Sequence, residues 1–144
     1  MKFIRFFIGF LTGMFTITLF TEAIEFSIVK FTSGQTVDYL SSYQEEYFKI
    51  RNQSWILGLK LFYTFLGAFF GGFVATYISK NASRITLIAL IVVQFAGLIF
   101  GAFFSEFSKL TPFWMWILLL IIVPIGIYYG HLIAEKRNAI KTES

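Results

Sequence analysis

Four stretches of the chain are dense in apolar residues, and the segments between them collect the polar ones. They are FIRFFIGFLTGMFTITLF, from Phe3 to about residue 24; Trp55 to Ser79; Ile85 to Phe104; and Phe113 to Ala134. Each is near the roughly 20 residues that a helix needs to cross a bilayer. KNAS joins the second to the third, and SEFSKLTP joins the third to the fourth. Links this short make consecutive helices antiparallel neighbours. The pattern predicts an all-α polytopic membrane protein: a four-transmembrane-helix antiparallel bundle, with residues 1–144 as a single membrane domain and 135–144 as a tail.

The one long connection has its own period. Val37, Tyr39, Leu40, Tyr43, Tyr47, Phe48 and Ile50 share one half of a helical wheel, and Asp38, Glu45, Glu46 and Lys49 share the other. This predicts an amphipathic helix over about 36–50 in the first loop. It is too short and too polar to span, so it should lie on the membrane surface or cap the bundle. Lys2 and Arg5 before an apolar run suggest a signal peptide, but FTEAIEFSIVKF has no small-x-small cleavage site. The first helix is therefore expected to be retained.

Composition strengthens the membrane reading. The chain is 57% hydrophobic, 21% aromatic and only 14% charged, with a mean hydropathy of +0.73. A water-soluble domain of this size could not bury so much apolar surface. Without cysteine there is no disulfide, thiol nucleophile or thiolate metal site. The net charge of +4 comes from basic residues set singly or in pairs at segment ends, not from a basic run. That distribution argues against nucleic-acid binding and for a topology signal.

The basic residues sort by side. Lys2, Arg5, Lys80, Arg84, Lys136, Arg137 and Lys141 fall on one, opposed by only Glu135 and Glu143. Lys30, Lys49, Arg51, Lys60 and Lys109 fall on the other, offset by Glu22, Glu25, Asp38, Glu45, Glu46 and Glu106. The positive-inside tendency then places both termini in the cytoplasm and Trp55, Trp114 and Trp116 at the outer interface.

Glycine is the main motif. GxxxG occurs once per span, at Gly9 with Gly13, Gly67 with Gly71, Gly97 with Gly101, and Gly126 with Gly130. Gly72 adds to the second. Lipid tails are as apolar as leucine, so helices associate in a bilayer by close backbone packing, which glycine permits. Gly9 and Gly13 lie on one stripe with Thr16 and Phe20, and Gly67 and Gly71 share a face with Lys60, Thr64 and Ala75. In an antiparallel pair, Gly9 and Gly13 come to the depth of Gly71 and Ala75, so the first two spans are expected to cross closely there.

Polar groups within the spans are few. Lys60 must turn to protein rather than lipid, and Glu22 or Glu25 is its natural partner at the outer rim. A structural ion pair is favoured there over a substrate site, because a lysine so near the surface can snorkel. Gln94 sits mid-span and reads as interhelical glue. Pro124 is expected to kink the fourth helix. His131, beside Glu135, reads as an interfacial residue; nothing near it completes a metal site. With one histidine and no acidic pair inside the membrane, neither a nucleophile–base pair nor a metal-bound water can be assembled. No cofactor is implied and an enzyme is not expected.

LGAFFGGFVATYIS, the short basic turn after it and LTPFWMWILLLIIVPIGIYYGHLIAEKR together resemble a widespread set of small bacterial four-span membrane proteins. The features that match are Glu22 closing the first helix, the glycines of the second, Pro112 with Phe113, Trp114 and Trp116, and Pro124 with Gly126 and Gly130. The resemblance implies an architecture and a bacterial inner-membrane location, without an activity. Lys60 and the amphipathic loop fall outside that pattern. Two function classes follow: a non-enzymatic scaffold or accessory protein acting through helix or loop contacts, and a small oligomeric transporter or channel. Expected partners are the lipid bilayer and either a second copy or another membrane protein.

Overall fold

A computed structural model describes residues 2–35 and 44–143, and every element in it is helical or a turn. Helix α1 runs Lys2–Ser33, α2 Gln44–Arg51, α3 Ser54–Ser79, α4 Ser83–Phe103 and α5 Phe113–Glu143. Tight 3-10 turns at Lys80–Ala82 and Glu106–Leu110 connect the last three. By length and hydropathy, Lys2–Ser33, Ser54–Phe103 and Phe113–Ile140 are long and apolar enough to cross a membrane. The second of these is divided by the turn at Lys80–Ala82 into α3 and α4. Lys80 carries a positive φ of 44° there, and its N–H closes on Thr76 O.

Two helices outrun the expected boundaries. α1 continues nine residues past residue 24 to Ser33. Glu25 and Val29 are buried on its far end, so that turn is held by packing and not released as loop. The helix stops where Gly34 takes a φ of +64° and its N–H bonds Lys30 O at 3.0 Å, the left-handed glycine stop that leaves few carbonyls unpaired. α5 continues beyond Ala134 to Glu143, because AEKRNAIK consists largely of good helix formers. Pro124 sits inside α5 without ending it. Of the expected amphipathic helix over 36–50, the first part lies outside the described residues. In α2, Phe48 is buried and Tyr47 half-buried, while Glu45 and Lys49 are exposed.

α3 is the central element, with its largest contacts to α5 and α1. The buried positions of α1 are Gly9, Gly13, Ile17, Glu25 and Val29, all on one ridge of four-residue steps. A Cβ on Gly9 would sit 2.7 Å from Ala75 O, and one on Gly13 would sit 2.7 Å from Ala75 Cβ and 3.0 Å from Gly71 O. Further along, a Cβ on Gly67 would sit 2.9 Å from Thr21 Oγ1. Numbers rise along α1 as they fall along α3, so this pair is antiparallel. Its four-residue ridges interdigitate. The ridge leaves Gly13 through Ile17 and not through Thr16, whose hydroxyl bonds back to Thr12 O at 2.8 Å.

α3 and α5 run parallel. A Cβ on Gly126 would sit 2.8 Å from both Phe65 O and Ala68 Cβ, while Gly130 lies against Phe69 and Phe73, and Gly72 against Ile127. The seam expected on α4 is absent. Nothing lies within 4 Å of a Cβ on Gly97, and one on Gly101 would meet only the Trp116 ring, at 3.0 Å. α4 turns the Gly97 edge of its GxxxG away from the other helices, so that spacing brings no backbones together. Ile17, Ala68, Ala75, Leu90, Val123 and Ile127 form the central core. Outward-facing residues are apolar: Phe15 is 67% exposed and Ile88 62%. Apolar surface on this scale marks a chain that meets lipid or partners.

Candidate functional site

The helical period that collects Lys60, Thr64, Gly67, Gly71 and Ala75 on one face of α3 buries all five. The α1 ridge meets that face, and its step beyond Thr21 is Glu25. Glu25 is 3% exposed and Lys60 7%. Lys60 Nζ donates to Glu25 Oε2, which also accepts from the Tyr63 hydroxyl at 3.0 Å. Arg51 Nε lies 2.9 Å from Glu25 Oε1, and the Tyr47 hydroxyl lies 3.3 Å from the same oxygen. One buried carboxylate thus holds two cations and two phenols. Burial and the adjacent carboxylate push the Tyr47 phenol above its ordinary pKa, so it remains a neutral donor.

Of the two carboxylates considered for Lys60, only Glu25 reaches it. Glu22, one turn earlier, is exposed. Glu25 continues the four-residue ridge of Gly9, Gly13 and Ile17 that packs on α3, and Glu22 lies off that ridge. Arg51 is fixed by the Phe48 ring, 4.8 Å below its guanidinium, so α2 is tied to α1 through this cluster. Arg51, Tyr47 and Tyr63 were not singled out in the sequence. Tyr63 follows Lys60 at i+3, the one local signal that placed it beside the lysine. Arg51 and Tyr47 had none, since they reach Glu25 through the docking of α2.

Below the cluster lies a cavity of about 240 Å³. Its polar lining comes from Thr18, Thr21, Glu22, Arg51, Lys60, Thr64, Gln94 and Trp116. Its apolar lining is Ile17, Leu98, Leu119 and Val123. Gln94 Nε2 points to Met14 Sδ at 3.4 Å, a weak contact between α4 and α1. Thr21 Oγ1, Thr64 Oγ1 and Trp116 Nε1 are buried and make no hydrogen bond.

The opposite end carries a second polar group. His131 is 4% exposed, packed against α3 with its Nδ1 2.9 Å from Thr76 Oγ1. Gly126 and Gly130 bring α5 so close to α3 that the next residue is buried between them. His131 Nε2 lies 3.5 Å from Glu135 Oε1, which accepts from Ser83 Oγ at 2.9 Å. Among the described residues, no group of three or more His, Asp or Glu is placed to hold a metal.

Compared with known protein families, characterised proteins and solved structures, the chain shows no match. The likeness to small bacterial four-span proteins rests on the sequence pattern alone.

Proposed function

We propose that this chain is a four-span integral membrane protein of the bacterial inner membrane, with both termini cytoplasmic, acting as a non-enzymatic scaffold or accessory protein. The observation that carries this reading is the apolar plug between its two polar ends. Lys60 and Glu25 lie at one end and His131 and Glu135 at the other, while Ile17, Ala68, Leu90, Val123 and Ile127 close the interior between them. A pore or alternating-access path needs polar groups along its length. Here they stop at Gln94. Three of the four glycine pairs are occupied by contacts within the chain, which leaves the Gly97 face of α4 for contacts with other proteins.

The absence of cysteine makes topology directly testable. Gln35→Cys and Lys109→Cys are expected to react with an impermeant maleimide on intact cells, and Asn81→Cys only after lysis. Labelling of Asn81→Cys from outside would invert the orientation. The scaffold reading is tested by reconstitution. Proteoliposomes are expected to show no ion flux above empty vesicles, with the protein monomeric or dimeric in nanodiscs. A closed ring of subunits together with measurable flux would replace the scaffold by a channel.

A further inference from the structure

Three of the residues that line the cavity beneath the Glu25 cluster hold a buried polar atom without a partner. Thr64 is 6% exposed and its hydroxyl has no partner. Thr21 Oγ1 is likewise unpaired, as is Trp116 Nε1, which can only donate. A buried polar group left unpaired costs about 1–3 kcal/mol. Three around one cavity point to an occupant that accepts hydrogen bonds.

Charge at the polar end narrows the class. Lys60 and Arg51 both border the cavity, and both are paired with the single carboxylate of Glu25. One positive charge is therefore uncompensated within the buried cluster. Glu22 also lines the cavity, but it is exposed and lies outside the buried cluster. Ile17, Leu119 and Val123 line the remainder of the cavity and offer nothing to a hydrated ion. The volume of about 240 Å³ is far above the ~10–15 Å³ that one water needs. It suits a short chain better than a folded-in phospholipid.

From these observations we infer that the cavity binds a single-chain amphiphile whose anionic carboxylate or phosphate head lies among Lys60, Arg51, Thr21, Thr64 and Trp116, with its alkyl chain against Ile17, Leu119 and Val123. The inference goes beyond the scaffold role and rests only on the membrane reading within it. Head and chain both contribute, so neither a free anion nor a cationic amphiphile fits.

Trp116 is a built-in reporter. Trp55 and Trp114 are 53% and 49% exposed, so Trp55→Phe with Trp114→Phe leaves Trp116 as the sole tryptophan without opening the core. The protein is placed in nanodiscs of zwitterionic lipid and titrated with decanoate, decyl phosphate, decyltrimethylammonium and inorganic phosphate. Saturable changes in Trp116 emission are expected with decanoate and decyl phosphate, and none with the other two. Thr64→Val, which keeps the shape and removes the hydroxyl, is expected to weaken decanoate binding about tenfold. Leu119→Phe, which fills the apolar end, is expected to abolish it. A response that never saturates, an equal response to the cationic amphiphile, saturation by inorganic phosphate alone, or full affinity in Thr64→Val would each overturn the inference. Failure of the protein to co-elute with lipid would overturn the membrane reading and the inference with it.

Discussion

Replacing Gly130 with leucine is expected to collapse the thermal stability of the purified protein, whereas the same change at Gly97 leaves it nearly unchanged. A Cβ on Gly130 would overlap the carbonyl oxygen of Phe69 and crowd Phe73 N at 2.7 Å. Both neighbours are backbone atoms of α3, so no side chain can rotate away and the helices must separate. Overpacking relieved by side-chain movement costs about 1–3 kcal/mol; a backbone clash should reach or exceed the top of that range. Even Gly130→Ala places the clashing atom, so it should lose most of that stability as well. Gly97 has open space at the same position, and an added side chain there meets only the helix surroundings. Thermal unfolding in mild detergent separates the two. Equal loss at both positions, or retention of stability in Gly130→Ala, would mean that α5 does not pack on α3 through this seam. Gly71→Leu belongs with Gly130, because its Cβ would strike Ile17 and the Gly13 carbonyl. It is expected to destabilise the monomer itself and not merely to dissociate a dimer.

Glu25→Ala carries the second large effect. The carboxylate is the common partner of Lys60, Arg51, Tyr47 and Tyr63, and its loss leaves two cations facing each other in a poorly hydrated place. Removing one partner of a buried pair costs about 3–5 kcal/mol, because the remaining charge is still desolvated. Glu25→Gln should be only slightly milder. The combination Glu25→Gln with Lys60→Met is expected to recover much of the loss, since Arg51, with its side chain 11% exposed, can turn toward solvent. Glu22→Gln is expected to stay within about 0.5 kcal/mol of the parent, as an exposed charge should. A double variant less stable than Glu25→Gln alone would show that Lys60 is held by something other than Glu25. The cluster also anchors α2, so Glu25→Ala should increase amide hydrogen exchange across Gln44–Arg51 more than across α5.

Much of this molecule follows from its one-dimensional pattern. The apolar stretches, their lengths and the polar links between them depend on hydropathy and backbone hydrogen bonding alone, and in lipid those leave helices as the answer for a chain of this kind. Helical period alone puts Lys60, Thr64, Gly67, Gly71 and Ala75 on one face of α3. A glycine spacing, however, states only that close approach is allowed. Whether a partner backbone arrives depends on where the other helices go, and for this reason Gly97 and Gly130 read alike in the sequence and differ in the structure. The α1 ridge needed the same information. Thr16 and Ile17 are both within reach of the Gly13 stripe on a wheel, and the crossing with α3 selects the four-residue step. That step carries the ridge on to Glu25 and leaves Glu22 outside. Arg51 and Tyr47 reach the carboxylate from a separate helix, across a gap in sequence that no local period spans. Local chemistry determined which residues could form helices and seams; long-range packing decided which seams closed and which carboxylate was buried, because those are choices among partners distant in the chain.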